Sequence, residues 1–239
     1  MKLIFFSDIH GNLGAFQAFQ RRCEQEHPDL VVFCGDVFGY YYQQERILTS
    51  LRESGWLCLL GNHDRYFLDL LDGSRDVESL IQAYGTTYAR CLGTGAVSEK
   101  NLAFLRTWKP QAQIDADGLK IAAFHGSPSD PINGRVYPDT PIADAELYAP
   151  YDFVIFGHTH HKMTRAVGGA TVFNPGSLGQ QRDGRGCSYM TFDTCTRSAS
   201  FQLVEYNISP LLREIEANDP DKPSLASVLV RGPRKEGQA

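Results

Sequence analysis

Short apolar runs recur along the chain, and several end abruptly in a cluster of Gly, Asp, Asn or His. Leu3–Phe6 meets Ser7-Asp8-Ile9-His10-Gly11-Asn12, Leu30–Cys34 meets Gly35-Asp36, and Trp56–Leu60 meets Gly61-Asn62-His63-Asp64. Further on, Ile121–Phe124 meets His125-Gly126, Phe153–Phe156 meets Gly157-His158-Thr159-His160, and Val172-Phe173 meets Asn174-Pro175-Gly176-Ser177. Apolar runs of this length bounded by turn formers read as buried strands. Segments of helical length separate the first three. Gly14–Glu26, with Leu13 just before it, sets Leu13, Phe16, Ala18 and Phe19 on one face, and Gln43–Glu53 carries Ile47, Leu48 and Leu51. Strand–helix–strand alternation of this kind predicts βαβ units and a parallel sheet.

After Pro110 the texture changes. Asp115-Ala116-Asp117-Gly118 and Gly168-Gly169 read as hairpin turns, and Cys187–Phe192 with Ser200–Tyr206 flank another, so the second half reads as more antiparallel. Residues Val77–Trp108 read as two helices inserted between the halves. The expected division is one α/β domain over residues 1–208, with that helical insert at 77–108, and a peripheral C-terminal extension over 209–239 that is rich in Pro, charge and small residues. No internal repeat or low-complexity block interrupts it.

Composition narrows the chemistry. With 239 residues, 42% hydrophobic and 21% charged, the chain has enough apolar material for a core without a structural metal. A metal would therefore serve chemistry. The net charge of −5 argues against broad nucleic-acid binding, which needs a basic surface to displace counterions. It leaves a phosphate substrate open, because bound cations can supply local positive charge. The six cysteines, Cys23, Cys34, Cys58, Cys91, Cys187 and Cys195, form no Cys-x-x-Cys pair and read as free thiols of a reducing cytosol. The opening run Met1–Phe6 reaches Ser7-Asp8 before the ~7–15 apolar residues of a signal peptide, and no run approaches the ~18 of a membrane span. A cytoplasmic protein without a membrane partner is the expectation.

In a parallel sheet the loops at the carboxyl ends of the strands converge on one edge, where ligands bind. Those positions here hold Asp8, His10, Asp36, Asn62, His63, His125, His158 and His160, five of the chain's seven histidines among them. Taken singly, Asp8, Asp36 and Asn62 suit turns and helix caps equally well. Capping does not require the histidines. Carboxylate oxygen with imidazole nitrogen suits Mn, Fe, Zn or Ni. About seven ligands exceed one tetrahedral zinc, so two ions sharing a bridging carboxylate is the natural count.

The blocks Asp8-Ile9-His10, Gly35-Asp36, Gly61-Asn62-His63-Asp64, His125 and Gly157-His158-Thr159-His160, in this order, resemble the calcineurin-like metallophosphoesterase superfamily. The resemblance spans Met1 to about Phe201. The trailing Asn174-Pro175-Gly176-Ser177 with Arg182-Asp183-Gly184 looks like its small bacterial and archaeal phosphodiesterase-like branch. It implies a four-layer αββα sandwich, two mixed β-sheets flanked by helices. It also implies two divalent transition-metal ions, Mn foremost and Fe, Ni or Zn as alternatives. Asp8, His10 and His160 would hold one ion, Asn62, His125 and His158 the other, and Asp36 would bridge them. The implied reaction is hydrolysis of a small-molecule phosphodiester, or a phosphomonoester, by metal-activated hydroxide. His63 would give a proton to the departing alkoxide or stabilise its charge.

Other residues keep two readings. Asp64 would orient His63 or cap the following helix. Arg182 and Arg185 would clamp a substrate phosphate or sit as solvated loop charges, with Arg182 the better candidate. Tyr40-Tyr41-Tyr42 and Tyr66 would line the cleft or pack the loop, His27 reads as a solvated helix end, and His161 as surface or a neighbour of the ligands. The chain departs from the superfamily's protein Ser/Thr phosphatase and dinucleoside-polyphosphate hydrolase branch at Gly39-Tyr40, where that branch has the Asp-Arg whose Asp orients the catalytic histidine. That branch is the alternative within the enzyme class. A non-catalytic protein-binding scaffold of the same fold is the alternative outside it, and the presence of His63 with every ligand favours an enzyme.

Overall fold

The computed structural model describes residues 1–184 and 186–231. The first half runs β1 (Lys2–Phe6), α1 (Leu13–Glu26), β2 (Leu30–Phe33), α2 (Gln44–Ser54), β3 (Leu57–Cys58) and α3 (Asn62–Leu71). Three short helices follow, α4 (Val77–Tyr84), α5 (Thr87–Cys91) and α6 (Glu99–Leu105). The second half runs β4 (Gln111–Ala116), β5 (Leu119–Phe124), β6 (Phe153–Ile155), β7 (Lys162–Val167), β8 (Ala170–Pro175), β9 (Ser188–Asp193) and β10 (Ser198–Leu203), then α7 (Ser209–Asn218) and α8 (Pro223–Ser227).

The strands form two mixed five-stranded sheets, ordered β10-β9-β1-β2-β3 and β4-β5-β6-β8-β7. β1, β2 and β3 are parallel, with Leu3 opposite Leu30, and β9 and β10 close that sheet antiparallel. In the other sheet β5, β6 and β8 are parallel while β4 and β7 join as hairpin partners. The parallel strands are buried on both faces because layers cover both sides. Leu3, Phe5, Val32 and Leu59 pack against Ile121, Ala123, Phe153 and Ile155 between the sheets. On the outer side of the first sheet, Ile4, Phe6 and Phe33 meet Phe16 and Phe19 of α1 and Ile47, Leu48 and Leu51 of α2. Burial of these side chains contributes roughly 1.5–3 kcal/mol each. The outer side of the second sheet is covered by the segment after β5, through Val136, Tyr148 and the 3₁₀ turn Ala145–Leu147. The expected α/β sandwich is thus present, with its helices on the first sheet.

The local signals act as read. The Asn12 side chain accepts from Ala15 N at 3.2 Å to start α1, and Gly55 ends α2 in the left-handed region at φ 71°. The insert differs from the expected pair of helices. Gly85 stops α4 at φ 82°, and α6 begins afresh at its Ser98 cap, so the segment breaks into three pieces. α7, α8 and the two residues after α8 carry Leu211, Ile215, Leu225, Val228 and Leu229 onto Tyr40 and Tyr41, so the described part of the extension packs against the loop after β2. No helix among the described residues is long and apolar enough to cross a membrane, and all six cysteines are free.

Candidate metal centre

The loops leaving β1, β2, β3, β5 and β6 converge at one end of the two sheets. They bring Asp8, His10 and His160 into one group whose ligand atoms lie within 4.8 Å of one another, and Asp36, His125 and His158 into another. A third such group, His10, Asp36 and His63, overlaps the other two. All of these side chains are buried.

The backbone is strained to do this. Asp8, His10, Asp36, His158 and His160 all sit at positive φ, between 51° and 72°. Non-glycine residues visit that region at a cost, and such strain clusters where function over-determines the geometry. Gly61 is needed for a different reason: a Cβ there would strike the Asp36 carboxylate.

Hydrogen bonds fix which atoms face inward. His10 Nδ1 donates to the Phe38 carbonyl at 2.6 Å, His125 Nδ1 to the Cys34 carbonyl at 2.7 Å, and His160 Nδ1 to the Gln180 carbonyl. A carbonyl only accepts, so each of these rings carries its proton on Nδ1, and a neutral ring then offers a lone pair on Nε2. His10 Nε2 and His160 Nε2 nevertheless stand 3.1 Å apart. Asp8 Oδ1 lies 3.2 Å from His160 Nε2 and 3.7 Å from His10 Nε2. Asp36 Oδ2 lies 3.3 Å from His125 Nε2 and 3.9 Å from His10 Nε2. Asp8 Oδ1 and Asp36 Oδ2 are buried without a hydrogen-bond partner. At His10, His160 and Asp8, converging electron pairs with no proton between them are what a cation satisfies, so these residues fit a metal.

The electrostatics agree. Burial alone would push Asp8 and Asp36 up. The imidazoles around them, His160 and His10 for Asp8, His125 and His63 for Asp36, hold both well below the usual carboxylate range. His158 and His160 are pushed down to about 4, chiefly by burial, which keeps both rings neutral. Burial also opposes a charge on His125, but Asp36 overrides it and raises the ring to about 9. His125 Nε2 lies 3.0 Å from Asn62 Oδ1 and 3.3 Å from Asp36 Oδ2.

The remaining candidates fall into place around this centre. His63 lies in the first turn of α3, its N–H donates to Asp36 Oδ1 at 2.8 Å, and burial keeps its ring well below the normal histidine range. Asp64 lies away from the His63 ring: its carboxylate accepts from the amides of Gly61, Asp36, Val37 and Phe38 at 2.8–3.2 Å. It therefore caps α3 and clamps the Asp36 turn. Burial and the charge of Asp36 push it up to about 6 against those amides. Arg182, half-buried, donates to the Tyr40 hydroxyl at 2.7 Å, and Tyr40 packs on His10 and His63. Tyr66 and Tyr84 flank His63 with ring centroids 5.5 and 4.6 Å away. Tyr41 instead packs into the core under α8. His27 ends α1 at φ 46°, His161 Nδ1 donates to the Thr159 carbonyl, and Arg185 lies outside the described residues.

Two neighbours escaped the sequence reading. Arg135, from the irregular segment after β5, donates Nε–H to His158 Nε2 at 3.0 Å. Tyr88 of α5 meets His63 Nδ1 at 2.7 Å. No periodicity or motif marks either position.

Residues 1–197 match the model of the calcineurin-like phosphoesterase superfamily domain. The chain belongs to that superfamily, a class of metallophosphoesterases, and its buried His/Asp groups are ones that could hold a metal ion. It is 26% identical over 229 residues to the uncharacterized protein MJ0912 of Methanocaldococcus jannaschii, across 89% of this chain and 90% of that relative. Its fold is similar to the crystal structure of a metallophosphoesterase from Sphaerobacter thermophilus, with TM-score 0.72 at 24% identity over 97% of this chain and 99% of that one. It is also similar to hypothetical protein PH1004 from Pyrococcus horikoshii OT3, with TM-score 0.77 at 16% identity over 98% and 99%.

Proposed function

We propose that the chain hydrolyses small-molecule phosphodiesters, with phosphomonoesters as lesser substrates, at a centre that holds two divalent transition cations. The observation that carries this reading is Asp36, whose unpartnered Oδ2 faces His125 on one side and His10 on the other. One ion would be held by Asp8, His10 and His160, the other by Asn62, His125 and His158, with Asp36 shared. Mn is the foremost candidate, with Fe, Ni and Zn next, since this donor set accepts all of them. Bound there, the ions would supply Lewis acidity towards water and the phosphate oxygens, acting at neutral pH.

The chain's own residues do the rest. The buried ligand shell excludes bulk water, which strengthens each electrostatic contact with the phosphate. His63 gives a hydrogen bond or a proton to the departing oxygen. Arg182, whose guanidinium donates to the Tyr40 hydroxyl, would bind a phosphate oxygen by exchanging it for that hydroxyl, and Arg135 would do the same once a ligand role occupies His158 Nε2. Gly39-Tyr40 weighs against the protein phosphatase and dinucleoside-polyphosphate branch. The net charge of −5 favours a small ester over nucleic acid, and a cytoplasmic site of action fits the free cysteines.

The deciding experiment is a matrix of metals against esters. Chelator-stripped protein is reloaded with Mn, Fe, Ni or Zn and assayed on bis(4-nitrophenyl) phosphate, 4-nitrophenyl phosphate and nucleotides. Turnover of the diester, highest with Mn and abolished by chelator, is expected. No turnover of any ester with any metal would move the protein to the scaffold reading, and a monoester preference would reverse the substrate order.

A further inference from the structure

His63 is buried, and the group that meets its Nδ1 comes from the insert. The Tyr88 hydroxyl lies 2.7 Å from that nitrogen and 3.3 Å from the His63 carbonyl oxygen. Tyr88 is itself 0% exposed, and its ring stacks on the imidazole at 6.3 Å and 13°. A Cβ on Gly39 would sit 2.5 Å from the same Nδ1, so a side chain at 39 has no room to serve it without displacing the ring.

The residues before Tyr88 are tied down on two sides. The Thr86 amide and hydroxyl donate to Asp219 at 2.8 and 3.0 Å. The Thr87 hydroxyl donates to the Tyr41 carbonyl and accepts from Gln44 Nε2 at 3.0 Å. α5 is thus fixed to the C-terminal extension and to the loop that carries Asp36. A group held this way costs little to order when the reaction needs it.

We propose that Tyr88 is the positioning residue of His63: its hydroxyl holds Nδ1 so that Nε2 faces the leaving oxygen. This rests on the role given to His63 above. A hydroxyl can accept from Nδ1–H, passing its own proton to the His63 carbonyl, and can also donate to a bare Nδ1. It therefore holds the ring in either tautomer, where a carboxylate would hold only the first. It also adds no negative charge beside the ions. In the step itself an attacking water oxygen bonds to phosphorus as the P–O bond to the leaving group breaks, and that bond's electron pair stays on the leaving oxygen; the Tyr88 hydroxyl donates to Nδ1, so the neutral ring carries its hydrogen on Nε2 and gives a hydrogen bond to that oxygen.

The test compares Tyr88→Phe with the native enzyme on aryl methyl phosphodiesters whose leaving groups run from 4-nitrophenol to phenol. Acid assistance matters for the poor leaving group, so kcat for the phenyl ester is expected to fall about 10- to 100-fold. KM should hold, and the 4-nitrophenyl ester should be nearly unaffected. In a His63→Ala background Tyr88→Phe should add no further loss. An equal fall for all esters, or additive losses, would overturn the proposal. The ¹⁵N signals of the His63 ring give a second readout without turnover. One narrow pair in the native protein that broadens or shifts in Tyr88→Phe is expected. A native ring that already averages between orientations would overturn the inference without any variant. Unchanged turnover in His63→Ala would remove the proton role alone; unchanged ¹⁵N signals in Tyr88→Phe would remove Tyr88 alone.

Discussion

His10 Nε2 and His160 Nε2 face each other across 3.1 Å, although both rings already give their Nδ1 proton to a main-chain carbonyl. Two neutral imidazoles cannot hydrogen-bond in that arrangement, and Asp8 Oδ1 adds a third acceptor 3.2 Å from His160. The protein holds this frustration in place through left-handed backbone at Asp8, His10 and His160. A cation between these atoms would relieve it.

Metal binding should therefore raise the unfolding temperature. Binding at a hundredfold excess over Kd adds about 2.7 kcal/mol, which is roughly 5–10 °C for a domain of this size. Scanning calorimetry of chelated and Mn-loaded protein measures it. Asp36→Asn should lose most of the shift and cut kcat by at least about a hundredfold, because Asp36 Oδ2 stands between His10 of one group and His125 of the other. A variant within a few-fold of native activity would rule out the shared role of Asp36.

Metal entry should also release a proton. Asp36 pushes His125 up to about 9, whereas burial pushes His158 and His160 down to about 4. Below about 9 the His125 ring is charged and must become neutral to bind a cation. Affinity at its site should thus rise about tenfold per pH unit up to that point and then level off. Calorimetric titration at pH 7 in two buffers of different ionisation enthalpy should show about one proton leaving. A value of zero would mean either that His125 is not charged at pH 7 or that it is not a ligand, and the pH dependence of affinity, flat in both cases, would overturn this prediction.

Much of this centre was legible because the ligands follow apolar runs, and a parallel sheet delivers strand ends to one edge. Asp8, Asp36 and Asn62 gained meaning only with the histidines, and the spacing Gly157-His158-Thr159-His160 placed two at once. Tyr88 could not be read, since its contact with His63 depends on where Gly85 breaks the insert and how Asp219 anchors the next residue. Arg135 lies in a segment without periodicity. The two readings of Asp64 are separated only by coordinates: four amides converge on its carboxylate, while His63 turns to Tyr88.

Asp64→Ala should be a stability variant before it is an activity variant. It would leave the amides of Gly61, Asp36, Val37 and Phe38 buried without their acceptor, at a cost of about 1–3 kcal/mol for a donor left unsatisfied. The expected result is a lower midpoint in urea with an unchanged slope, together with weaker metal affinity as the Asp36 turn loosens. If Asp64→Ala keeps native stability and metal affinity but loses kcat selectively for poor leaving groups, Asp64 acts in the proton transfer instead.

Asp219 tests whether the extension serves the centre. Its carboxylate accepts from the Tyr42 hydroxyl at 2.7 Å and from both the amide and the hydroxyl of Thr86, so one side chain of α7's C-terminal cap joins three segments. Asp219→Ala leaves the Thr86 amide unpaired in a part-buried position, a loss of about 1–3 kcal/mol, confined to the contact between the extension and the insert. Amide exchange should then rise at Thr86–Tyr88 while β1 and β2 stay protected, because local opening draws on the weakest contacts first. If Tyr88 depends on this anchor, kcat for a phenyl ester should drop several-fold with metal content unchanged. Exchange that rises evenly through the sheets would make Asp219 a general stabiliser, and native exchange at Thr86–Tyr88 would show that α5 is held in place without it.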